Sequence, residues 1–170
     1  MAIGKLVAPL LRVPLFAGLK PLQITEIARQ AERCRFRQGD IITKAGEAAD
    51  GAYLIASGLA DRLADGGGDA ASEPVEPGSL IGEMAMLVEH DYGATVIARD
   101  RVLCLKITRA ALREQLLQDP ALALHLQRRI ADRLSRVADD LRQIDSALAA
   151  CGSPAHVTGD DANRRITADA

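Results

Sequence analysis

Residues 82–98, Gly82-Glu83-Met84-Ala85-Met86-Leu87-Val88-Glu89-His90-Asp91-Tyr92-Gly93-Ala94-Thr95-Val96-Ile97-Ala98, decide how the rest of the chain is read. A glycine and a carboxylate open a short apolar helical turn. A polar loop follows, and a Gly-Ala-Thr step leads into a β-branched strand. Backbone N–H groups at the start of a helical turn lack intrahelical partners and carry partial positive charge, so Gly82, Glu83, Met84 and Ala85 are candidate donors to an anion. Small residues at Gly93 and Ala94, followed by Thr95, let a ligand approach the backbone closely. The order is that of a pocket.

Working outward, short apolar stretches alternate with glycine turns. Cys34–Arg37 is followed by Gln38-Gly39-Asp40, then Ile41–Lys44 and Gly46-Glu47, then Gly51–Ser57 ending at Gly58. Leu59–Leu63, Ser72–Val75, Ala94–Arg99 and Val102–Ile107 read as further strands. Short strands so punctuated indicate an antiparallel roll that closes its edges against itself. Asp65-Gly66-Gly67-Gly68-Asp69 is a hairpin tip; it lacks the Lys-Ser/Thr and helix of a phosphate-binding P-loop. Helical patterns flank the roll. Residues 3–13 form a short helix ended by Pro14, and Pro21–Arg33 carries Leu22, Ile24, Ile27, Ala28 and Ala31 toward the sheet. Thr108 caps a helix to Leu117, and Asp119-Pro120 starts a long one to about Ala150.

The stretch 82–98 resembles the phosphate-binding cassette of the cyclic nucleotide-binding domain family, found in catabolite activator proteins and protein kinase regulatory subunits. The family pattern is Phe-Gly-Glu-Leu-Ala-Leu, a loop, then Arg-Ser/Ala-Ala-Thr; here Ile81–Leu87 and Tyr92–Val96 stand in those places. Pro14–Leu19, Arg37–Glu47 and Gly51–Gly58 resemble the family's entry segment and hairpins, so the likeness runs over roughly residues 14–148. It implies a mainly β fold: an antiparallel β-roll of jelly-roll type with N-terminal helices and a long C-terminal dimerisation helix. The implied boundaries are 1–118 for the roll with its flanking helices, 119–150 for the long helix and 151–170 for a disordered tail.

The resemblance also implies the ligand, cyclic AMP or cyclic GMP, and the contacts. Glu83 is either the acceptor for the ribose 2′-hydroxyl or a carboxylate that only stabilises the turn. Tyr92 replaces the arginine that pairs with the cyclic phosphate. A charge-assisted contact is worth about 1.5–3 kcal/mol, so the loss lowers affinity by roughly one to two powers of ten or changes the ligand. Val137 and Ala138 stand where purine-reading members carry Thr or Ser. Two readings follow: a non-catalytic sensor that passes ligand state to an effector protein, or a degenerate module kept for dimerisation or scaffolding.

The long helix carries Ile130, Leu134, Val137, Leu141, Ile144 and Leu148 at heptad-like spacing, the seam of a parallel homodimer. Asp140 and Asp145 at flanking positions weaken it by like charge. Residues 120–130 are expected to pack on the roll.

Composition narrows the alternatives. The chain has 170 residues, a net charge of −2 and 2% aromatic residues without Trp, so neither a phosphate-tracking surface nor a stacking platform is expected. Three widely spaced cysteines argue for a reducing cytoplasm. No apolar run suits a bilayer, so no membrane association is expected. His90, His125 and His156 lack ligand spacing, so no metal is expected, and no nucleophile–base pair is recognisable, so the chain reads as no enzyme. The polar residues after the long helix are too few for a winged helix-turn-helix, so direct DNA binding is not expected.

Overall fold

The computed structural model describes residues 4–63 and 72–151. The glycine-rich tip 65–69, His156 and the tail from residue 152 onward lie outside the described residues. Helix α1 (Gly4–Leu10) leads through a 3-10 turn (Pro14–Phe16) to α2 (Pro21–Gln30). The strands are β1 (Glu32–Phe36), β2 (Ile41–Thr43), β3 (Ala48–Ala49), β4 (Gly51–Ser57), β5 (Ala60–Arg62), β6 (Glu73–Val75) and β7 (Leu80–Ile81). A second 3-10 turn (Glu83–Met86) precedes β8 (His90–Asp91), β9 (Val96–Ala98) and β10 (Val102–Thr108), and α3 (Arg109–Gln118) and α4 (Pro120–Cys151) close the order.

All pairings are antiparallel. One sheet runs β1-β10-β4-β7, a second β2-β9-β5-β6, and β3 pairs with β8. The crossovers between non-consecutive strands make the expected β-roll. Pro74 lies on β6, an edge, where its missing N–H interrupts no ladder. Adjacent residues of β4 point to opposite faces, which splits the core in two. Leu54 packs with Phe16, Ile24, Ile27, Leu105, Leu112, Leu122 and Leu126 under the helices. Ile55 packs with Ile42, Val75, Ile81, Val96 and Cys104 inside the roll.

Several expectations shift. Leu22, assigned to the sheet-facing side of α2, is 72% exposed, because α2 ends at Gln30 and its buried face is Ile24, Ile27 and Ala28. Cys104 is fully buried and lies opposite half-buried Cys34; both are free thiols, and burial pushes Cys104 up to about 12. The Thr108 cap is present, its Oγ1 accepting from the Ala111 amide at 3.2 Å. Asp119 Oδ1 accepts from the amides of Ala121 and Leu122, both at 3.0 Å, and starts α4.

The compact unit that contains the roll extends through Ile130. The reason is packing: Leu122 and Leu126 are buried, Ile130 is half-buried against the same cluster, and Arg129 Nη2 donates to the Pro14 carbonyl at 2.6 Å. In the second unit, from Ala131, the face carrying Leu134, Val137, Leu141, Ile144 and Leu148 is 50% to 65% exposed at every one of these residues.

Candidate functional site

The cassette turn begins at Gly82, whose φ of +71° and ψ of 34° lie in the left-handed region. Only glycine takes this without strain, and it lets β7 break directly into the 3-10 turn. Ala85 and Met86 then point inward and are buried, while Met84 is exposed. The Ala85 amide donates to the Gly82 carbonyl at 2.9 Å. This bond closes the first step of the turn.

Beyond the turn, Tyr92 is held by its backbone between the Gly46 amide, which its carbonyl accepts at 2.8 Å, and the Glu47 carbonyl, to which its amide donates at 2.9 Å. Its side chain is buried with Ala49, Ala85 and Tyr53, and its hydroxyl donates to the Gly51 carbonyl at 3.1 Å. Burial foremost pushes this hydroxyl up to about 12; the nearby Tyr53 and Asp50 add to the shift and Lys106 opposes it. Tyr92 therefore stays neutral at physiological pH, with its hydroxyl bound inside the fold. Thr95 Oγ1 accepts from the Ala45 amide at 3.0 Å, and the Ala94 carbonyl accepts from Thr43 Oγ1 at 3.1 Å. These two bonds fasten the Gly93–Thr95 step to β2 and the loop after it.

A cavity of about 430 Å³ opens at this place, lined by Arg62, Leu63, Ile81, Gly82, Tyr92, Gly93 and Ala94. That volume lies in the range of small-molecule sites. Of the residues expected from the sequence, Gly82, Tyr92, Gly93 and Ala94 line it. Half-buried Glu83, with Met84, Ala85 and Thr95, belongs to the surrounding turn and loop. The sequence reading missed Arg62, the only cation among the described lining residues. Its signal was the two-residue period of β5: Ala60 is fully buried, and Arg62 shares its face. Arg62 Nη1 donates to Glu73 Oε2 at 3.3 Å, while its Nε is buried and meets no acceptor among the described residues.

Arg109, the first residue of α3, ties the turn to that helix. Its Nη1 donates to the carbonyls of Ala49, Ala85 and Val88 at 3.2, 3.0 and 2.8 Å. A separate open groove of about 1050 Å³ gathers Arg33 and Arg35 of β1 with Arg37, just past its end, and Arg101, just before β10. Composition pointed to no such cationic surface, because the alternate arginines Arg33, Arg35 and Arg37 are joined by Arg101 only through the pairing of β1 with β10. Among the described residues no group of His, Cys, Asp and Glu is arranged to hold a metal ion, and no helix is long and apolar enough to cross a membrane.

A cassette turn on an antiparallel roll, with a cavity beneath it and helices behind, defines a class of regulatory ligand-binding modules, and sequence comparison agrees. Residues 33–119 match the cyclic nucleotide-binding domain model, and the chain belongs to that family. It is 34% identical over 100 residues to a cAMP-dependent protein kinase regulatory subunit of Emericella nidulans, spanning 57% of this chain and 23% of that protein. The chain thus spans about a quarter of the length of such kinase regulatory subunits. The N-terminal domain of a transcriptional regulator from Streptomyces coelicolor A3(2) superposes with a TM-score of 0.72 at 27% identity, covering 78% of this chain and 94% of that one. The Thermus thermophilus catabolite activator protein gives 0.63 at 28%, covering 78% and 63%.

Proposed function

We propose that this chain is a non-catalytic regulatory domain that binds a cyclic nucleotide, cyclic AMP or cyclic GMP, and passes its ligand state to an effector protein in the cytoplasm. The observation that supports this reading is the cavity bounded by Gly82 and by Tyr92–Ala94, in the stretch that resembles the family cassette and within the residues matched by the family model. The names of the relatives support it: a cAMP-dependent kinase regulatory subunit and a catabolite activator protein. Ligand at the cassette acts on α3 through Arg109, which holds the turn's carbonyls, and so biases an existing conformational equilibrium. The exposed stripe Leu134–Leu148 supports self-association along α4. Calorimetry with cyclic AMP and cyclic GMP tests the ligand; absence of heat for both at millimolar concentration ends the nucleotide reading.

One observation favours a second reading, a domain kept for dimerisation or protein interaction without a nucleotide. Tyr92 is buried and its hydroxyl is committed to Gly51, so the cassette loop offers no cation at that position. The same titration separates the two.

A further inference from the structure

We propose that Arg62 supplies this cavity with the cation that Tyr92 does not, so that the anionic group of the ligand is held from strand β5 rather than from the loop after the cassette turn. The inference rests on the reading of the cavity as a ligand site. Three observations carry it. First, Arg62 lies in phase with fully buried Ala60 on β5, and its side chain, 42% exposed, stands where that face opens to the cavity and to solvent. Second, it lines the cavity together with Gly82, Tyr92, Gly93 and Ala94, all of which lack a formal charge at neutral pH. Third, its Nε is buried with no acceptor among the described residues, and buried N–H donors are rarely left so.

The guanidinium presents a rigid fork whose Nε–H and one Nη–H match two oxygens of a phosphate or carboxylate. Glu73 engages Nη1 alone, at 3.3 Å, long for a charge-assisted bond, and is itself 70% exposed. It holds the arginine in place and leaves Nε for an incoming anion. Among the described residues the rest of the lining is apolar or backbone, with Leu63, Ile81 and the Tyr92 ring beside the Gly93-Ala94 step. The fitting ligand therefore joins one phosphate to a flat, weakly polar body, as a nucleoside phosphate does.

The test is titration of the full chain with cyclic AMP, cyclic GMP, AMP and inorganic phosphate, followed by calorimetry and by the arginine Nε–H signals in ¹⁵N NMR. The Arg62 signal is identified by its loss in Arg62→Lys. The expected result is that bound ligand moves the Arg62 Nε–H signal and that Arg62→Ala weakens binding about tenfold or more. Arg62→Lys keeps part of the affinity, and Glu73→Gln strengthens it by removing the carboxylate that competes with the anion for the guanidinium charge. If a cyclic nucleotide binds the parent chain and Arg62→Ala binds it equally well, the role of Arg62 is overturned while the sensor reading stands. If neither cyclic nucleotide binds but AMP or phosphate moves the Arg62 signal, Arg62 is the anion contact and the cyclic nucleotide reading falls. If no anion moves the signal, the inference is overturned. Should Arg62→Ala fail to fold by circular dichroism, the parent signal and Arg62→Lys still decide.

Discussion

The Cε1 atom of Tyr92 lies 2.8 Å from where a Cβ would stand on Gly82. The cassette turn and the loop that faces it are therefore fitted to each other with no room for a methyl group. The contact also explains why a tyrosine is accommodated here: its ring fills the space beside a residue that has no side chain, and its hydroxyl finds the Gly51 carbonyl beyond.

Gly82→Ala is expected to destabilise the fold by roughly 2–4 kcal/mol, from a left-handed backbone costing about 1–2 kcal/mol and a clash with the ring. Adding Tyr92→Ala should relieve the clash and leave the backbone cost, so the two substitutions combine to less than their sum. Urea unfolding of the four proteins of this cycle measures both parts. Strict additivity would show that ring and turn do not press on each other.

Tyr92→Arg separates ligand chemistry from stability. The substitution gives up the hydroxyl bond to Gly51 and puts a charge beside Ala49, Ala85 and Tyr53, for an expected loss of about 1–3 kcal/mol in stability. It also places a second cation at the cavity wall, so cyclic nucleotide affinity should rise about tenfold. Calorimetry and denaturant unfolding on the same preparation read the two effects; unchanged affinity would show that the arginine cannot reach the cavity from this position.

The chain has two tyrosines and no tryptophan, so absorbance near the phenolate band reports Tyr53 and Tyr92 alone. Burial raises both, Tyr92 to about 12. A folded-state value above the unfolded one means that the protonated hydroxyl contributes stability fully below about pH 10 and that this is lost as pH rises toward 12. Cys104, raised from 9.0 to about 12, acts in the same direction. Stability should therefore fall from about pH 9 upward, and Tyr92→Phe should remove the later part of the absorbance titration. A native titration centred at the free-tyrosine value would contradict the burial of both rings.

Arg109→Ala leaves three carbonyls, of Ala49, Ala85 and Val88, without their shared donor. The expected cost is about 1–3 kcal/mol, with faster hydrogen exchange at the cassette turn than in β4 or β10. Lysine at this position should restore only part, because its ammonium group is not held by a planar guanidinium at the place where Nη1 meets the three carbonyls. Equal exchange at the turn in all three proteins would exclude Arg109 as the tie between turn and helix.

Leu134→Asp with Leu141→Asp is expected to turn a dimeric parent chain into a monomer in sedimentation, with the roll intact by circular dichroism. Each apolar residue of the stripe contributes roughly 1–2 kcal/mol when buried against a symmetry mate, and a charge there opposes pairing by desolvation. A monomeric parent chain at tens of micromolar would remove the dimer from the proposed function.

By itself, the sequence determined the roll. Glycine turns at Gly39, Gly46 and Gly58 separate the short strands, Gly82 opens the 3-10 turn through a local backbone requirement, and the order Gly82-Glu83 then Gly93-Ala94-Thr95 resembles the family cassette. The Thr108 and Asp119 helix starts were legible for the same reason, since a cap is a contact between near neighbours. Only the tertiary structure decided which side chains meet. Tyr92 reads as a failed arginine until its hydroxyl is seen on Gly51, 41 residues away, and Arg62 reads as a surface cation until β5 is placed between β6 and β9 at the cavity wall. Long-range strand pairing decides these roles. A residue's local pattern sets its face and its backbone, while the neighbours that give it a partner or withhold one come from elsewhere in the chain.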